Sequence, residues 1–113
     1  MSYLLHIHFD FDVPDPEHYF SQQAAEQLAK LPGLQWKIWA YNEEKKTASG
    51  FYLYADRRDA EIRAKLAVPH LESLPGLSNV TTTIYTVLED LSIITRATLD
   101  TPANPSYPPD FEA

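Results

Sequence analysis

Four stretches of this chain alternate side chains with a period of two and place good sheet residues on both faces. Successive side chains of a strand point to opposite sides, so residues two apart share a face. In the first stretch Leu5, Ile7, Phe9 and Phe11 form one row, and Leu4, His6, His8 and Asp10 the other. In the second, Trp36, Ile38 and Ala40 oppose Lys37, Trp39 and Tyr41. The third sets Phe51, Leu53 and Ala55 against Tyr52 and Tyr54, and the fourth Val80, Thr82 and Ile84 against Thr81, Thr83, Tyr85 and Val87. A sheet with one solvated face shows Lys, Glu, Ser and Thr there. Here the second rows are rich in Tyr, Trp and His, the composition of a pocket wall or an interface. The expectation is that the aliphatic rows lie under helices and that His6, His8, Lys37, Trp39, Tyr52, Tyr54 and Tyr85 share the other side.

Strand one is predicted over Tyr3 to Phe11. Asp15 can cap a helix and Pro16 suits its first position. That helix is predicted to run to about Leu31, with Phe20, Ala24, Leu28 and Leu31 as its buried stripe. Pro32-Gly33 stops it. Strand two (Leu34 to Asn42) and strand three (Ser49 to Ala55) flank a short polar linker, which favours an antiparallel hairpin. A second helix follows from Asp56 to about Leu74, with Ala60, Ala64, Ala67, Leu71 and Leu74 in register. Pro69 lies inside it and predicts a kink or break near Ala67-Val68. Strand four covers Asn79 to Leu88, and a short closing helix Glu89 to Ala97. The order β-α-β-β-α-β is the ferredoxin-like arrangement, an α+β sandwich with an antiparallel sheet. Residues 1–99 make one domain. From Asp100 the proline-rich tail, 100–113, admits neither helix nor a regular strand and is expected to be disordered, or to anchor through Tyr107 and Phe111 on a neighbouring subunit.

Composition narrows the function classes. A formal charge of −7 argues against a nucleic-acid partner. The absence of cysteine removes disulfides, thiolate metal sites and Cys nucleophiles. Three glycines leave little scope for a phosphate loop, which disfavours flavin, nicotinamide and nucleotide. The start lacks the features of a secretory signal, and no apolar run approaches the roughly 20 residues of a membrane helix. A soluble cytoplasmic protein without a membrane partner is expected.

The chain resembles the YdhR-like mono-oxygenases of the dimeric α/β-barrel superfamily. The likeness runs from Leu4 to about Leu99. It rests on Leu4-Leu5-x-x-His8-Phe9-x-Phe11, Pro32-Gly33-x-x-Trp36-Lys37-x-Trp39, Ala48-x-Gly50-x-Tyr52-Leu53 and Leu91-Ser92-x-Ile94. The resemblance implies a ferredoxin-like subunit, a homodimer forming a dimeric α/β barrel, and a pocket between sheet and helices. It also implies cofactor-independent oxygenation of an aromatic or polyketide-like small molecule by molecular oxygen. Members of that family carry a His and an Arg in the second helix, roughly where this chain has Ala67 and His70, and Pro69 falls in the same turn.

Within this frame His8, and after it His6, is the candidate catalytic base, since an imidazole near neutrality can remove a phenolic or enolic proton. The alternative for His8 is packing in a dimer core. His6 and His8 could begin a metal site, but no third ligand stands at a suitable place, so no metal is expected. Trp39, Tyr52, Tyr54 and Tyr85 are candidates for substrate binding by stacking and phenol hydrogen bonds, with interface packing as the alternative. Lys37 could stabilise an oxyanion or simply reach solvent. His18 and His70 lie on predicted helices and are expected at the surface. A non-catalytic small-ligand-binding dimer, a haem-binding or haem-degrading protein and an isomerase or cyclase remain as other readings.

Overall fold

The computed structural model describes residues 1–112 and contains a single sheet flanked on one face by helices. The elements are β1 (Tyr3–Phe11), α1 (Pro16–Tyr19), α2 (Gln22–Leu28), β2 (Leu34–Asn42), β3 (Thr47–Tyr54), α3 (Arg57–Glu72), β4 (Leu77–Thr86) and α4 (Glu89–Ile94). The four strands lie in the order β2-β3-β1-β4, and every neighbouring pair is antiparallel. This is the expected ferredoxin-like α+β fold.

Local chemistry accounts for the places where the elements depart from expectation. The first helix is two pieces, because Ser21 starts a new one: its hydroxyl accepts from the Ala24 N–H at 3.1 Å. The Phe20 N–H returns to the Pro16 carbonyl and closes α1. In α3, Pro69 breaks nothing. It lies in the last turn, and the helix continues through it to Glu72. α4 is shorter than predicted. Thr95 bonds back to the Leu91 and Ser92 carbonyls, and Arg96 takes a left-handed φ of 74°.

The core lies between the sheet and α3. Leu5, Ile7, Leu34, Tyr52 and Tyr54 pack against Ala60, Ala64 and Ala67 of the helix. Small alanines let the helix approach the sheet closely while the large residues come from the strands. A second cluster gathers Phe11, Ala48 and Leu77 beneath Tyr19 and Phe20.

The described part of the tail, residues 100–112, is ordered, contrary to the first expectation for it, and it is tied to its own chain. It passes from the β4 edge across the open face to β2 and on to α3. Trp36 Nε1 donates to the Thr98 carbonyl at 2.8 Å, and Gln35 Nε2 to those of Leu99 and Thr101. The Asn104 side chain donates to Ala29 and Leu31, and the Gly33 N–H to Pro105. The buried Asp59 carboxylate accepts from the Tyr107 N–H at 3.1 Å, and Arg58 donates to the Tyr107 and Pro108 carbonyls. Prolines cannot donate, yet carbonyls around them accept, and side chains of the body supply most of the donors. Gly33 is required at this junction. Its φ is +75°, and a Cβ there would overlap the Asp59 carboxylate.

Candidate functional site

Strand register decides which side chains can share a site. β1 pairs with β3 so that Leu5 faces Tyr52, Ile7 faces Gly50 and Tyr3 faces Tyr54. β2 pairs with β3 so that Lys37 faces Tyr52 and Trp39 faces Gly50. Directly opposed residues lie on one side of a sheet. Lys37, Trp39, Tyr52 and Tyr54 therefore lie on the helix-covered side with Leu5 and Ile7. His6 and His8 pair with Phe51 and Ser49, and Tyr85 with Leu4, all on the open side. The expectation of one shared face is corrected: the seven residues divide between two. Trp36, Ile38, Phe51 and Leu53, expected under the helices, belong to the open face. The cause is that both rows of β2 and β3 are apolar enough to be buried, so alternation alone cannot say which is inside.

On the helix side, a cavity of about 450 Å³ opens between the sheet and α1, α2 and α3. That volume is in the range of small-molecule sites. Phe9, Phe11, Phe20, Trp39 and Tyr52 supply aromatic wall. Phe20 stacks on Phe11 at 4.8 Å between ring centroids and meets Trp39 edge-on at 6.3 Å, so the junction between α1 and α2 closes one corner. Lys37 and Arg63 bring the two basic groups, and His18 and His70 are exposed residues at the margin.

Lys37 is the most perturbed group in the cavity. Its Nζ sits 3.6 Å from the centre of the Trp39 ring and 4.8 Å from that of Tyr52. Burial, reinforced by the Arg63 guanidinium, pulls the ammonium from 10.5 down to about 7. The proton on this amine is thus held far more loosely than on an exposed lysine. Burial raises the Tyr52 phenol above its usual value while Arg63 works in the opposite direction. Gly50 makes room for this pair. A Cβ there would stand 3.0 Å from Lys37 Cε and 2.9 Å from the Tyr52 ring.

The open face holds a different arrangement. Ser49 Oγ lies 3.0 Å from His6 Nε2 and 2.7 Å from His8 Nδ1, and the His6 ring stacks on Phe51 at 4.4 Å. Burial first, and then the charge of His8, lowers the His6 pKa. Tyr85 is half exposed nearby. Tyr54 is fully buried in the core, where burial raises its phenol far above the usual value. Of the seven expected site residues, Lys37, Trp39 and Tyr52 line the cavity; His6, His8, Tyr54 and Tyr85 do not. Among the described residues no group of three or more His, Cys, Asp or Glu could hold a metal.

Arg63 is the residue that sequence reasoning missed. The signal was present, since Ala60, Arg63, Ala64 and Ala67 follow the i, i+3, i+4, i+7 spacing of an inward stripe. An arginine on such a stripe beside alanines points toward whatever the helix covers.

The family model described as "Putative mono-oxygenase ydhR" matches residues 4–98. No curated protein matches the chain. Solved structures similar to it in fold include the following three. The ActVA-Orf6 monooxygenase of Streptomyces coelicolor, solved with the ligand nanaomycin D, is 15% identical with a TM-score of 0.56 over 76% of this chain and 87% of that one. SnoaB of Streptomyces nogalater, a cofactor-independent oxygenase, is 20% identical with a TM-score of 0.54 over 88% and 97%. MupZ of Pseudomonas fluorescens is 16% identical with a TM-score of 0.57 over 99% and 94%.

Proposed function

The chain belongs to the YdhR mono-oxygenase family, and on that premise we propose that it oxygenates an aromatic or polyketide-like small molecule in the cavity beneath its sheet, without a bound cofactor. The observation that supports this most is the placement of the Lys37 amine, its pKa lowered by burial, against the Trp39 ring in an aromatic cavity. The oxygenase activity named for SnoaB and ActVA-Orf6 fits the same reading.

The proposed reaction begins when a phenol or an anthrone-like ring enters the aromatic cavity within reach of the Lys37 amine. The neutral Lys37 amine takes the acidic O–H or C–H proton and becomes an ammonium beside the new anion, and Arg63 lies on the same side to stabilise that charge. The anion gives one electron to oxygen, and the radical pair recombines to form a carbon–oxygen bond. Lys37 returns its proton to the peroxide, which loses water to leave a carbonyl. One oxygen molecule is consumed; one atom enters the product and the other leaves as water. The protein contributes deprotonation, orientation and exclusion of water. His8 and His6, on the far side of the sheet, have no part in this sequence.

Oxygen uptake with anthrones and hydroquinones tests the proposal. Uptake above the protein-free rate is expected to rise with pH through about 7, where Lys37 loses its proton. Binding with no uptake would leave a non-catalytic ligand-binding protein. A flat profile between pH 5.5 and 8.5 would remove Lys37 as the base.

We further propose that a second copy of the chain covers the open face. Ile38 and Tyr85 are 55% and 51% exposed there, and Leu91 and Ile94 of α4 are exposed as well. Large apolar patches of this kind mark interaction sites. Sedimentation is expected to give twice the monomer mass at micromolar concentration; a monomer would refute the interface.

A further inference from the structure

The cavity carries a charge pattern opposite to that of the protein around it. The chain has 16 acidic residues and a formal charge of −7, yet no Asp or Glu lines the cavity among the described residues. Two basic groups do. Lys37 rests on π faces, and Arg63 has no carboxylate within 4.0 Å among the described residues. Arg63 Nε is buried without an acceptor, and the guanidinium charge is felt by the Tyr52 phenol. Asp59, one helical turn earlier on α3, is also buried with its Oδ2 unpartnered, but it makes no ion pair with Arg63 within 4.0 Å, and its other oxygen accepts from the Tyr107 N–H in the tail. A guanidinium in an apolar cavity loses hydration, and a carboxylate ligand restores that loss through a two-pronged pair.

We propose that the substrate is an aromatic carboxylic acid, with its carboxylate bound by Arg63 and its reacting ring position directed at Lys37. This deepens the oxygenase reading and rests on it for the reacting end, while the anion site rests on the cavity alone. The geometry divides the labour: Arg63 is permanently charged and anchors, and Lys37 can release its proton and reacts. An anchored carboxylate fixes which ring carbon faces the amine, so Arg63 selects both the substrate class and the site of oxygenation. The anionic ligand enters a cavity whose marginal side chains, His18 and His70, carry no negative charge.

Titration calorimetry with 2-naphthoate and its neutral analogue 2-naphthamide tests the assignment. The acid is expected to bind roughly 10- to 100-fold more tightly, the range for a hydrogen bond to a charged group. Arg63→Met should abolish that preference, Arg63→Lys should keep part of it, and Lys37→Met should keep most of it. Circular dichroism of each variant establishes that the fold is retained. Equal binding of acid and amide by the unaltered protein, or a preference that survives in Arg63→Met, would overturn the proposal. Because the readout is binding, acid preference combined with no oxygen uptake from a hydroxylated naphthoate would refute the oxygenase reading and leave the anion site standing.

Discussion

Replacing Lys37 with methionine is expected to lower oxygen-dependent turnover by about 10²- to 10⁴-fold, the usual contribution of a general base. Methionine keeps the unbranched stem that lies over Gly50 and fills the same space, so the fold should persist. Lys37→Arg should be nearly as inactive, because a guanidinium keeps the charge but cannot take up a proton. His8→Ala should stay within a few-fold of the parent. The reverse pattern, with Lys37→Met active and His8→Ala dead, would move the chemistry to the open face. A stability measurement gives an independent check on the same group. The Lys37 pKa is near 7 when folded, against 10.5 as an unperturbed lysine. The unfolded chain therefore binds more protons than the folded one across that interval, and stability should rise from pH 7 toward 10.5. Below pH 7 both states hold the proton and this contribution is absent. Lys37→Met should lack the rise.

Tyr107→Ala is expected to cost about 3 kcal/mol of stability and on the order of 10 °C in melting temperature. Tyr107 is buried, its ring packs on Phe111 at 4.7 Å, and its backbone joins Asp59 to Arg58. Loss of the ring leaves a void at the point where the tail meets α3. Denaturant unfolding measures the effect, and an unchanged midpoint would mean that the tail adds nothing to the folded domain. Arg63 follows Asp59 by one turn, so loosening of the tail should also weaken ligand binding in the cavity.

Much of the fold was readable from the chain. Pro32-Gly33 and Pro75-Gly76 mark the ends of helical segments, the alternation marks all four strands, and the element order leads to the ferredoxin-like sheet. The facing of the strands was not readable. Trp36, Ile38, Phe51 and Leu53 are as apolar as the rows opposite them, and only the pairing of Lys37 with Tyr52 and of Leu5 with Tyr52 shows which row the helices cover. The consequence for the site is large: three of the seven expected residues line the cavity, and both histidines fall outside it. The tail was misread because proline content argues against regular structure without forbidding a strap whose carbonyls accept from Gln35, Trp36 and Arg58. Arg63 was legible through its place on the alanine stripe. It was overlooked because the search for chemistry stayed on the strands.

A crystal grown under anaerobic conditions with a naphthol or anthrone ligand measures the central claim directly. The account predicts ring density in the cavity under the helices, with an oxygen or acidic carbon in reach of Lys37 Nζ. Ligand density against His6 and His8 on the open face, with the cavity under the helices free of it, would contradict the account.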